Sequence, residues 1–113
     1  MSFSVNVIGP ELQRKSPGDL VPTVLRAFCY DGSGYHVPER YPVSTINLDD
    51  FLTIEDGEFK WGIPGFGSQV EEARIVNVLG KYTNLCAKYN GSWIIVLLDD
   101  HIANLRGRLE FSP

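Results

Sequence analysis

The stretch from Ser68 to Asp99 constrains the chain most, because it reads as one long amphipathic element followed by one very apolar one. Ser68 and Glu71 stand at the spacing of a capping box, in which a hydroxyl and a carboxylate each take a free amide at a helix start. Glu71 and Glu72 put negative charge on the positive end of the helix dipole, and Lys81 and Lys88 lie towards the other end. Asn90-Gly91 tolerates the left-handed conformation that stops a helix. Between these signals Ile75, Val78, Leu79, Tyr82, Leu85, Cys86 and Tyr89 recur at three- and four-residue steps, one apolar face at the helical period. The spacing predicts a helix over 68–89. Two features oppose it. Ile75, Val76 and Val78 are β-branched, and Gly80 costs about 1 kcal/mol relative to Ala. Burial against a sheet is expected to override both.

Trp93-Ile94-Ile95-Val96-Leu97-Leu98 is apolar on both alternating faces and reads as a central strand covered on both sides. Asp99-Asp100 ends it in a turn. Upstream, Phe3 to Ile8 alternates as a strand that Gly9-Pro10 ends, and Glu11 to Leu20 is a surface loop around Pro17-Gly18-Asp19. Val21 to Tyr30 and Val43 to Leu48 are further strands. Phe51 to Glu55 and Glu58 to Trp61 flank Asp56-Gly57, a two-residue hairpin turn with both central residues at positive φ. His101 to Phe111 reads as a last strand, antiparallel to Trp93–Leu98. No repeat, low-complexity tract or linker is evident. The expected fold is therefore α+β: one domain over residues 1–113, an antiparallel sheet of about five to seven strands with one long helix packed on one face.

The function classes follow from composition and from incomplete motifs. Hydrophobic residues make up 43% of the 113 and charged ones 21%, as in a globular protein with one ordinary core. No apolar run approaches the ~18 residues of a membrane span, and Met1 to Pro10 lacks the basic and apolar regions of a signal peptide. A cytoplasmic location is expected, with Cys29 and Cys86 as two buried thiols and a disulfide as the alternative. The net charge of −4 disfavours nucleic acid as the main partner and suits a basic protein partner. Arg74, Lys81 and Lys88, seven residues apart, form either a solvated face or a local basic stripe.

Tyr35, Tyr41, Trp61 and Phe66 sit on or beside loops rich in Gly and Pro, the kind of aromatic enriched at interaction surfaces. They are the candidate binding residues of a non-catalytic protein that acts through protein contacts, such as an inhibitor or an immunity-type protein, or that assembles as a homo-oligomer. A second reading is a small-ligand or nucleotide binder using the Gly62–Ser68 and Tyr35–Tyr41 loops. A loop entering a helix N-terminus suits an anion, but the P-loop lysine is missing and Glu71 and Glu72 would repel a phosphate. A third is a small metal-dependent hydrolase around Asp99, Asp100 and His101, which offer oxygen and nitrogen ligands side by side. No nucleophile–base–orienting set is complete, so no catalytic residue, metal ligand or cofactor is assigned.

Overall fold

The computed structural model describes residues 3–33, 40–78 and 81–113. These form ten strands and four short 3-10 turns, with no α-helix among the described residues. The α+β expectation is therefore overturned. Its long helix is a pair of antiparallel strands, β6 (Glu72–Val78) and β7 (Tyr82–Tyr89). Thr83, Leu85 and Ala87 alternate as buried positions along β7. The residues at helical spacing belong to two opposite faces of a sheet: Leu85 points into the core, while Tyr82 is exposed and Cys86 half-buried. The β-branched Ile75, Val76 and Val78 take the strand conformation they prefer. The capping residues serve the sheet instead. The Ser68 hydroxyl donates back to the Gly65 carbonyl (3.0 Å), the Glu71 amide donates to the Lys88 carbonyl, and the Glu71 carboxylate accepts from the Gly91 amide. Asn90-Gly91, expected as a helix stop, is the two-residue turn into β8 (Ser92–Leu97), both residues at positive φ. Leu79 and Gly80 lie outside the described residues.

The described residues form four antiparallel units. β1 (Val7–Gln13), β2 (Val24–Cys29) and β3 (Val43–Asn47) form one three-stranded sheet, and β6, β7 and β8 another. Each sheet is followed by a 3-10 turn and a hairpin: Leu48–Asp50 leads to β4 (Leu52–Glu55) and β5 (Glu58–Trp61), and Leu98–Asp100 leads to β9 (Ile102–Asn104) and β10 (Leu109–Phe111). The expected last strand is thus a hairpin, paired with itself and not with β8. The expected end of the first strand at Gly9-Pro10 is a bulge within β1, with Gly9 at φ 62°.

The chain is an internal repeat, which corrects the expectation of none. Leu48-Asp49-Asp50 recurs fifty residues on as Leu98-Asp99-Asp100, and the turn glycine Gly57 recurs as Gly107. Leu25 and Ala27 recur sixty residues on as Leu85 and Ala87, all four fully buried. Phe3 and Val7 answer to Phe66 and Val70, all buried. The core is one continuous cluster to which both halves contribute. Each hairpin lies against the sheet of the other half, β5 beside β8 and β10 beside β3. The Leu109 amide, for example, donates to the Ser44 hydroxyl at 2.9 Å. Neither half can bury its hairpin alone, so the two halves fold as one body.

Equivalent residues meet where the halves join. Phe51 stacks on Phe111 with ring centroids 4.6 Å apart, and the repeat maps this pair onto His101 and Trp61, 4.8 Å apart.

Candidate functional site

Beside each sheet the exchange of hairpins gathers three chain segments: the approach to its first strand, the bend after its middle strand, and the hairpin of the other half. At the first sheet Asn104 ties the three together. Its Nδ2 donates to the Asn6 carbonyl (3.2 Å) and the Tyr30 carbonyl (3.0 Å), and its Oδ1 accepts from the Gly107 amide (2.9 Å). The Tyr30 amide also donates to the Asn6 carbonyl (2.9 Å). Gly107, at φ 93°, has no room for a side chain: a Cβ there would lie 2.7 Å from Pro42 Cγ and 3.0 Å from Asp31 Cβ. This close fit brings the hairpin turn against the bend that carries Tyr30 and Asp31.

The surface so built holds a tyrosine pair, Tyr30 and Tyr41, with ring centroids 5.5 Å apart. Beside it are the Asp31 carboxylate and the exposed Leu105 and Arg106, the last at φ 52°. Hydrogen bonds from the Ser33 side chain and then its amide hold the Asp31 carboxyl below its ordinary pKa, so it is a fixed anion and acceptor. Aromatic rings with an apolar face, together with a hydrogen-bonded carboxylate and an exposed arginine, can take a ligand that has both C–H faces and hydroxyls.

At the second sheet Gln69 does the tying. Its Oε1 accepts from the Ile54 amide (2.9 Å) and the Thr53 hydroxyl (3.0 Å), and its Nε2 donates to the Ile54 carbonyl (3.0 Å). The next carboxylate along, Glu71, accepts from Gly91 in the β7–β8 turn (3.1 Å). This surface is polar without an aromatic pair: Thr53, Glu55, Gln69, Glu71 and Asn90.

The residues expected to bind are scattered. Tyr35 lies outside the described residues. Tyr41 is at the first surface. Trp61 is half-buried in the ring cluster with His101 and Phe111. Phe66 is fully buried and packs edge-on against Phe59 at 5.9 Å, so its ring has no face left for a partner. The Gly62–Ser68 loop does not hold amides open for a phosphate. The Gly62, Gly65 and Ser68 amides donate to protein carbonyls and the Gly67 amide to the Asp49 carboxylate, and a strand rather than a helix follows. Asp99 and His101 are not brought together as a catalytic set. The Asp99 carboxylate accepts from Ser4 and from the Thr83 amide (2.7 Å), while the His101 ring lies tilted against Trp61 and its Nδ1 meets the Ser112 carbonyl (2.9 Å). No three His, Cys, Asp or Glu residues are grouped to hold a metal among the described residues. No helix among them is long and apolar enough to cross a membrane. Cys29 and Cys86 are free thiols. Arg74 does not join a stripe but stacks over the Trp93 ring at 4.4 Å, on the outer face of the second sheet. Sequence reasoning missed the tying residues Asn104 and Gln69. The signal for Asn104 was its place in the hairpin that repeats Leu52 to Trp61.

The structure is similar to several solved proteins along nearly its whole length. It superposes on the CVNH protein of Gibberella zeae with a TM-score of 0.76 and 25% identity, covering 98% of this chain and 97% of that one. A designed cyanovirin-N homolog lectin gives 0.72 and 27%, over 98% and 99%. Microvirin, solved as a complex with mannobiose, gives 0.67 and 22%, over 97% of each, and shows the fold alone. No curated protein matches the chain in sequence. The family model of the CVNH domain matches residues 16–110. This match removes the inhibitor and immunity-type expectation and agrees with its coarser half, a binding domain. By its sequence over those residues and by its fold from end to end, the chain belongs to the CVNH domain family.

Proposed function

We propose that the protein is a carbohydrate-binding domain, and that a saccharide takes the place that sequence reasoning gave to a protein partner. The observation that carries this reading is the CVNH family match, together with the whole-length likeness to a designed lectin at 27% identity. Two further proteins of the same fold were solved with sugars, mannobiose in one and an N-acetylglucosamine tetramer in the other.

The two polar surfaces supply the chemistry. A pyranose ring presents an apolar C–H face and a rim of hydroxyls, each both donor and acceptor. Tyr30 and Tyr41 can cover the face, while Asp31, Arg106 and exposed backbone groups engage the rim. The Asn104 and Gln69 ties hold each surface in shape before binding, which lowers the ordering cost of taking a flexible polar ligand. The surface at the first sheet, with its rings, is the stronger of the two.

A glycan array followed by isothermal titration with mannobiose and with the N-acetylglucosamine tetramer tests the reading. Saturable binding to at least one glycan is expected, with binding to no glycan on the array as the outcome that removes it.

A further inference from the structure

The repeat exposes a difference between its halves. Asp99 and Asp49 occupy the same place in the two 3-10 turns. Asp99 is saturated from within: Ser4 donates its amide (3.1 Å) and hydroxyl (3.1 Å), and Thr83 its amide (2.7 Å). Asp49 receives one donor among the bonds described, the Gly67 amide at 2.7 Å. One substitution and one rerouted backbone bond produce this. Gly67 stands where the other half has Ser4, so the hydroxyl is missing; a Cβ there would lie 2.8 Å from Thr23 Cγ2. The Thr23 amide, equivalent to that of Thr83, turns to the Gln13 carbonyl instead (3.0 Å).

The cause is the β1–β2 connection. In the second half the ladder runs on through Asn77↔Thr83 and Val78↔Tyr82. In the first it stops at Gln13↔Val24, and the chain swings out as an open loop held by a bond from the Ser16 amide to the Asp19 carboxylate. Between this loop and the turn lies a cleft of about 460 Å³, reached by Asp49, Asn47, Lys15, Asp19, Ser68 and Gly67, with Val21 and Val70 as apolar wall. Its volume is within the range of ligand pockets, roughly 300–1,000 Å³. Asn47 Oδ1 already accepts from the Thr23 hydroxyl (2.9 Å) and the Asp49 amide (3.2 Å), so its other group is the NH2 donor.

We infer that this cleft is an additional binding site, present in the first half only, for a neutral sugar that offers two adjacent hydroxyls. One hydroxyl donates to the unshared oxygen of Asp49 and its neighbour accepts from the Asn47 amide group, while the ring's C–H face rests on Val21 and Val70. The two carboxylates of Asp19 and Asp49 outnumber the single Lys15 ammonium at the cleft and disfavour acidic sugars. This inference rests on the carbohydrate-binding reading but uses none of the residues of the two polar surfaces.

Amide chemical shifts, recorded by 15N-edited NMR during titration with mannobiose and with the N-acetylglucosamine tetramer, separate the two claims. Shifts at Thr23, Asn47, Asp49, Gly67 and Ser68 with their own saturation curve are expected. Asp49→Asn keeps the acceptor for the Gly67 amide and loses only the second carboxylate oxygen; it should weaken the cleft's response at least tenfold. Gly18→Trp, at a position with open space around its Cα, should block the cleft and leave shifts at Arg106, Gly107 and Gly91 unchanged. Shifts at the two polar surfaces without any at the cleft overturn this inference and leave carbohydrate binding standing. No shift anywhere removes both. A cleft that responds to calcium chloride and to neither sugar is a cation site, and the inference fails.

Discussion

Trp61 and Phe111 stack on one another with ring centroids 5.9 Å apart and planes 22° from parallel. They are equivalent residues, each the last of its hairpin, so the pair maps onto itself when the halves are exchanged. It lies at the join between the halves, with Phe51 and His101 on either side. Part of the contact between the halves therefore runs through four rings. Trp61→Phe should cost little, about 1 kcal/mol, because the equivalent position already works with Phe. Trp61→Ala should cost about 3 kcal/mol or more and lower the urea midpoint of the whole molecule in one transition. A transition split into two steps would show that the halves are independent.

Phe66 illustrates how a loop residue can be core. It is fully buried and matches Phe3 in the other half. Phe66→Ala should cost about 3–5 kcal/mol, the range for a truncated buried aromatic. A change within about 0.5 kcal/mol by chemical denaturation would mean that the ring is on the surface after all.

The hairpin at Asp56-Gly57 was legible because a two-residue turn with positive φ at both places needs specific residues, and they adopt φ 55° and 79°. The strands Val24–Cys29 and Val43–Asn47 lie within Val21 to Tyr30 and Val43 to Leu48, the stretches read as strands from the sequence. β6 and β7 were not legible as strands. Ile75, Val78, Tyr82, Leu85 and Tyr89 fall at helical steps although they lie on opposite faces of the sheet, and caps at Ser68 and Asn90 tipped the reading towards a helix. Ile75, Val76 and Val78 were the contrary signal, and it is the one that held. The repeat was hidden by its changing spacing: sixty residues separate Leu25 from Leu85, but fifty separate Leu48 from Leu98, because the loop after β2 is longer than the Asn90-Gly91 turn. Tying residues such as Gln69 cannot be read at all without the three-dimensional neighbours they bond.

The thiols give a pH dependence. Burial pushes the Cys29 thiol up to about 11 from an ordinary 9.0. Burial also raises Cys86, outweighing the Arg74 charge that pulls it down. The native state thus favours the protonated thiol. That stability is fully present below pH 9 and is lost as pH rises towards 11. The urea midpoint should fall across this interval, and Cys29→Ala should remove most of the fall. At pH 8 a thiol-disulfide reagent should label Cys86 slowly and Cys29 only when the protein unfolds. Equal, rapid labelling of both would contradict the burial of Cys29.

Asn104 and Gln69 allow the two polar surfaces to be tested one at a time. Asn104→Ala leaves the Asn6 and Tyr30 carbonyls without this donor and frees the Gly107 amide, at a cost of about 1–3 kcal/mol in stability. The Tyr30–Tyr41 surface then loses the clamp that holds the hairpin turn against it. Saccharide affinity there should fall about tenfold, and amide shifts during titration should vanish at Arg106 and Gly107 first. Gln69→Ala should do the same at Ile54 and Gly91 and leave the first surface untouched. Loss confined to one surface in each variant, by titration calorimetry and NMR with circular dichroism confirming the fold, is the expected pattern. If Asn104→Ala weakened binding at the second surface as strongly as at the first, the variant would be acting through global unfolding, and the assignment of the first surface would lose its support.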